Sequence, residues 1–172
     1  MKKLVLVLLL VAFIAVGAFA NDPRPDGFGI GIVGGSTRAW DDGVGFSTGD
    51  LRYGLALAFA DAYWGVRLGG TRNALWVGVT CDFLTLMGGT FGGGPVGFYI
   101  DGGLFANVVV GGDILYVGGG ARLPIGLNFN FDIVDLWLAV VPSIGVHVGI
   151  GDGGGIGIGG GWGPEIGLRV WF

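Results

Sequence analysis

Apolar and small or polar residues alternate along most of the chain, with a period of two. In the last segment Ile166, Leu168, Val170 and Phe172 share one face, and Glu165, Gly167, Arg169 and Trp171 share the other. The stretch from Leu51 sets Leu51, Tyr53, Leu55, Leu57 and Phe59 against Arg52, Gly54, Ala56 and Ala58. Around Leu75, the set Leu75, Val77, Val79, Cys81 and Phe83 opposes Trp76, Gly78, Thr80 and Asp82. Phe98, Ile100, Gly102 and Leu104 oppose Tyr99, Asp101, Gly103, Phe105 and Asn107. Ala121, Leu123, Ile125, Leu127 and Phe129 oppose Arg122, Pro124, Gly126, Asn128 and Asn130. Successive side chains of a strand point to opposite faces, so this period predicts strands. Eight segments carry it, at about 27–34, 50–59, 61–69, 74–86, 95–109, 114–129, 135–148 and 157–172; a count of ten stays open.

In each segment one face is bulky and apolar, and the other is glycine or alanine with an isolated charge. A soluble sandwich turns its bulky face inward and charges its outside. Here the polar face is too small and too sparsely charged to be a solvated surface. The reverse assignment fits: the bulky face looks at lipid, and the small, charged face fills the lumen of a closed barrel. Closure satisfies every backbone group and leaves no edge. The predicted fold is therefore all-β, an eight-stranded antiparallel transmembrane β-barrel. With both termini on the periplasmic side, segments 35–49 and 149–156 become outward loops, and Phe131-Asp132-Ile133-Val134 becomes a short inner turn.

Composition supports this. Of 172 residues, 40 are Gly and only 13% are charged, against about 25% in ordinary soluble domains. Glycine at this density opposes helices. Lys2 and Lys3, the apolar run Leu4 to Val16, and Ala18-Phe19-Ala20 before Asn21 have the parts of a secretory signal peptide. Residues 1–20 are read as that signal and 21–172 as the barrel domain. The mature chain would keep seven Arg, no Lys and thirteen acids, a net charge of -6. That balance argues against a nucleic-acid partner. One Cys and one His leave no material for a Cys or His metal cluster, and no cofactor is expected.

The C-terminal half carries a resemblance. Gly120-Ala121-Arg122-Leu123-Pro124-Ile125-Gly126-Leu127, then Leu136-Trp137-Leu138-Ala139-Val140-Val141-Pro142, then Ile166-Gly167-Leu168-Arg169-Val170-Trp171-Phe172 is similar to a family of small outer-membrane barrels found in spirochaetes and other double-membraned bacteria. Gly27-Phe28-Gly29-Ile30-Gly31-Ile32-Val33-Gly34 resembles that family's first strand. Where that family commonly carries an acid, this chain has Ala139. The resemblance implies an OmpA- or OmpX-like barrel of no settled activity in the outer membrane. The ending Ile166, Leu168, Val170, Phe172 looks like the signal that such barrels present to their assembly machinery.

By alternation Arg52, Arg67, Arg122 and Arg169 point inward, as do Asp82, Asp101 and Glu165. Buried unpaired, each would cost several kcal/mol. Paired, they plug a lumen that in an eight-stranded barrel is about wide enough for side chains alone. Other motifs have plainer readings. Gly29-x-Gly31-x-x-Gly34 matches a dinucleotide fingerprint, but no helix pattern follows it. Ser143, His147 and Asp152 lack a nucleophile elbow, and His147 reads as a rim residue. Trp64 and Trp171 suit the aromatic girdles of a barrel, whereas Trp76 and Trp137 face the lumen. The function expected is a non-enzymatic structural or surface-interaction role in outer-membrane lipid, with a surface ligand contacted through 35–49 and 149–156. The alternatives are a narrow solute pore or a lipid-active barrel enzyme.

Overall fold

The computed structural model describes residues 24, 27–36, 38–41, 51–59, 62–71, 74–111, 114–151 and 154–172. The signal segment 1–20, residues 42–50 and Asp152 lie outside the described residues. Twelve strand segments follow one another: β1 (Gly29–Ser36), β2 (Arg38–Asp41), β3 (Leu51–Phe59), β4 (Ala62–Thr71), β5 (Ala74–Thr90), β6 (Val96–Gly111), β7 (Ile114–Arg122), β8 (Ile125–Phe131), β9 (Val134–Val140), β10 (Ser143–Gly151), β11 (Ile156–Trp162) and β12 (Pro164–Trp171). All pairings between them are antiparallel.

The twelve segments make eight staves, because four breaks fall inside continuous strands. Three of these breaks are at proline: Leu123-Pro124, Val141-Pro142 and Gly163-Pro164 separate β7 from β8, β9 from β10 and β11 from β12. Proline has no N–H to give to the ladder. Backbone bonds bridge the breaks instead: Asp101 N–H donates to the Pro124 carbonyl, Leu123 N–H to that of Pro142 and Val141 N–H to that of Gly163, each at 2.9 Å. β1 and β2 form the fourth such stave, with β1 pairing β12 and β2 pairing β11.

Every stave neighbours the next in sequence, and the last pairs with the first. The partners Gly29, Ala58, Tyr63, Asp82, Gly103, Arg122, Ser143, Gly161 and Ala39 form one circuit, which returns to the first stave ten residues further along. With ~3.3 Å per residue and ~4.8 Å between strands, that stagger tilts eight strands by about 40°, inside the usual range for barrels.

The faces follow the alternation. Ile32, Leu51, Tyr53, Leu55, Leu75, Phe83, Leu104, Ile144, Ile158 and Ile166 are exposed on the outside. Val33, Ala56, Tyr99, Trp137 and Ala139 form an inward apolar cluster. The turn at 132–133 is as short as expected, and Asp132 adopts a left-handed φ of 58°. Gly29-x-Gly31-x-x-Gly34 lies wholly within β1.

Two expectations about loops are corrected. Segment 35–49 is not all loop: Gly35 and Ser36 end β1, and β2 carries the stave to Asp41 in register with Gly159. Segment 149–156 shrinks to the link 152–155, because β10 runs to Gly151 and β11 starts at Ile156. Gly149 N–H donates to the Gly155 carbonyl at 2.7 Å across that hairpin.

Candidate functional site: a charged lumen

The inward positions of neighbouring staves meet across a narrow interior, where side chains from distant parts of the sequence come together. Glu165 on β12 is its hub. Its Oε2 takes Arg67 Nη2 from β4 at 2.7 Å and Arg122 Nη2 from β7 at 2.9 Å. The Nε of Arg122 reaches Asp82 Oδ1 on β5 at 3.0 Å. Trp137 Nε1 donates to Glu165 Oε1 at 3.4 Å, and Arg67 Nη2 donates to Thr80 Oγ1 at 3.4 Å. The ion pairs alone tie four staves together, with the Arg122 side chain only 3% exposed.

A second group closes the end at which β1 begins and β12 ends. Arg169 Nη1 lies 3.5 Å from Asp135 Oδ2, and its guanidinium sits 4.6 Å from the Trp137 ring and 5.2 Å from the Trp171 ring. Arg24, before the first strand, enters this end: its Nη1 bonds Asp101 Oδ2 at 2.7 Å, and its guanidinium lies 3.6 Å from the Tyr63 ring and 4.6 Å from that of Tyr99. At such distances a guanidinium gains from the ring quadrupole as well as from its carboxylate. Glycine makes room for these rings. Gly167 faces Trp137 directly across the β12–β9 pair, and a Cβ on Gly167 would collide with the indole.

Toward the opposite end, Arg52 sits 4.2 Å from the Trp76 ring. With the Asn107 amide oriented to satisfy both groups, Trp76 Nε1 donates to its oxygen at 3.0 Å, and its nitrogen donates to the Gly118 carbonyl at 3.1 Å. His147 is buried, 5% exposed, and edge-on to Tyr116 at 6.5 Å.

The charged side chains on the inward parity fall into groups. Arg67, Asp82, Arg122 and Glu165 form one network, Asp101 and Arg169 belong to the group around Arg24, and Arg52 lies over the Trp76 ring. Two participants were not singled out from the sequence. Asp135 shares the parity of Trp137 and Ala139, so alternation carried the signal. Arg24 lies outside any periodic segment, in Asp22-Pro23-Arg24-Pro25, and had none.

Two further readings change. Trp171 belongs to no outer girdle; it is buried in the lumen, edge-on to Tyr63 at 6.4 Å. Trp64 stacks on Phe59 at 5.8 Å on the outward parity. His147 is inside the lumen rather than at a rim. The Ser143 hydroxyl donates to the Gly161 carbonyl at 3.4 Å. Of the C-terminal residues, Ile166 and Leu168 are exposed outward, Val170 is half-buried, and Phe172 packs 6.3 Å from Phe28.

A closed, antiparallel, eight-stranded barrel with an apolar outside and an ion-paired inside defines the class of small outer-membrane barrels. Among solved structures the chain is similar to Neisserial surface protein A, with a TM-score of 0.54 and 16% identity over 86% of this chain and 98% of that one. At that identity the likeness is one of fold. No protein-family profile matches the chain, and no curated protein matches it.

Proposed function

We propose that this chain is an integral outer-membrane barrel of a double-membraned bacterium, with a structural or surface-interaction role and a lumen that does not conduct. One observation carries the reading: the Arg67–Glu165–Arg122–Asp82 network joins four staves across the lumen. An Arg–carboxylate pair uses most of its donors within the pair and holds both rotamers. Ions would have to cross this layer and then the Arg24 and Arg169 group beneath it. Lipid is the partner that the outward Ile, Leu, Val and Phe residues require, since such a continuous apolar exterior has no place in water.

The barrel assembly machinery is the second partner, met through Ile166, Leu168, Val170 and Phe172. Contacts at the cell surface fall to the parts of 35–49 and 149–156 that lie outside the strands. The resemblance to spirochaete-type barrels belongs to this reading and rests on the quoted residues. Fractionation with heat-modifiable gel mobility tests the location, and reconstitution in planar bilayers tests the plug. A silent bilayer is expected. Stable, ohmic channels would favour the narrow pore instead.

A further inference from the structure

Arg24 lies outside every strand, yet its side chain is only 5% exposed, and that of Asp101, which it meets at 2.7 Å, only 2%. The groups that hold it are fixed by the barrel and not by the segment that carries Arg24. Asp101 and Tyr99 stand on β6, and Tyr63 stands on β4. The Asp101 N–H donates to the Pro124 carbonyl at 2.9 Å, and the Tyr63 ring is edge-on to Trp171 at 6.4 Å. Arg169 lies 4.9 Å from the same Tyr63 ring but has a carboxylate of its own in Asp135. A carboxylate with two aromatic faces suits a guanidinium: the oxygens accept its N–H groups, and the rings take its flat cationic face.

The segment joins the barrel through a bend. The β1 ladder starts where Phe172 N–H donates to the Phe28 carbonyl at 2.9 Å and Gly29 faces Trp171. Just before it, Gly27 holds a φ of 118°, which residues with side chains rarely adopt. Pro23 and Pro25 flank Arg24 and have no N–H to give to a neighbouring strand. Arg24 meets the barrel with its side chain, and the void beside it is only about 30 Å³, room for little more than water.

We propose that Asp101, Tyr63 and Tyr99 form a guanidinium-binding site that belongs to the barrel, and that the segment before β1 is a strap, hinged at Gly27, which fills this site with Arg24. The strap closes the mouth at which β1 begins. With the strap out, the site takes an alkylguanidinium, the chemistry of an arginine side chain. A tethered ligand has an effective concentration of about millimolar or more, so in the parent the strap keeps its place against free guanidinium compounds.

The test uses the full chain folded in zwitterionic micelles, its folding checked by heat-modifiable mobility. Arg24→Ala is titrated calorimetrically with methylguanidinium. Methylurea, planar and of similar size without the charge, is the control, and protein-free micelles are the blank. Saturable one-to-one binding of methylguanidinium is expected, with methylurea weaker by about tenfold or more, the loss set by one charge-assisted contact. The parent should bind neither, because Arg24 fills the site. Adding Asp101→Asn to Arg24→Ala should lower methylguanidinium affinity by a similar factor. The site is overturned by folded Arg24→Ala that shows no saturable binding or binds both probes equally. Binding by the parent as strong as by the variant, or affinity unchanged without the Asp101 charge, overturns it as well. If Arg24→Ala does not fold alone, methylguanidinium in the refolding mixture should restore heat-modifiable protein where methylurea does not; no difference between the two refutes the proposal.

Discussion

Replacing Arg122 by alanine removes a guanidinium that is almost fully buried and ion-paired on two sides, at 3.0 Å to Asp82 and 2.9 Å to Glu165. The two carboxylates are left unequally. Glu165 keeps Arg67 at 2.7 Å, whereas Asp82, buried on β5, loses the cation that faces it. A charge stranded in this way costs about 3–5 kcal/mol, against ~0–1 kcal/mol for an exposed pair. The double variant Arg122→Ala/Asp82→Asn removes the stranded charge and should recover part of the loss, a coupling of about 1–3 kcal/mol. Equilibrium urea unfolding in lipid vesicles, followed by tryptophan fluorescence, measures all the required states. If folded Arg122→Ala lies within about 0.5 kcal/mol of the parent and the cycle shows no coupling, solvent already reaches these groups. The lumen would then be hydrated, and the plug would fail.

Deleting Phe172, which is 78% exposed at the end of the closing stave, should reduce membrane insertion and leave unfolded chain in the periplasm; normal amounts of heat-modifiable protein would refute its role in assembly. Leu138→Arg or Leu168→Arg puts a charge on the lipid face and should cost about 2–4 kcal/mol in vesicle unfolding if near the bilayer midplane. Ala139→Asp should be at least as damaging as Leu138→Arg, because Ala139 lies in the inward apolar cluster and pairs directly with Glu165, which sets like charges side by side. Gly167→Val should push the Trp137 ring off its neighbour and cost about 1–3 kcal/mol, with a changed near-ultraviolet circular dichroism signal.

Alternation alone determined much of this molecule. A strand exposes its two faces by parity, so Leu51 to Phe59, Leu75 to Phe83 and Glu165 to Phe172 assigned their own insides and outsides, and a one-residue slip would have put Arg52 or Arg169 in lipid. The eight staves and the turn at 132–133 were legible for the same reason. Glycine hides that signal. Gly157, Gly159, Gly160 and Gly161 have no side chains to alternate, so how far the hairpin at 152–155 is zipped was decided by backbone pairing with β10 and β2. Residue type also misled where parity did not: Trp171 was assigned to a girdle by its chemistry, although its place beside Arg169 and Glu165 on one face put it inside. Which charges meet was beyond the sequence altogether. Parity says that Arg122 and Glu165 point inward, but the ten-residue stagger of the closed barrel decides that they share a level. Arg24, 77 positions from Asp101, reaches it only because closure brings the start of the chain beneath the sixth segment.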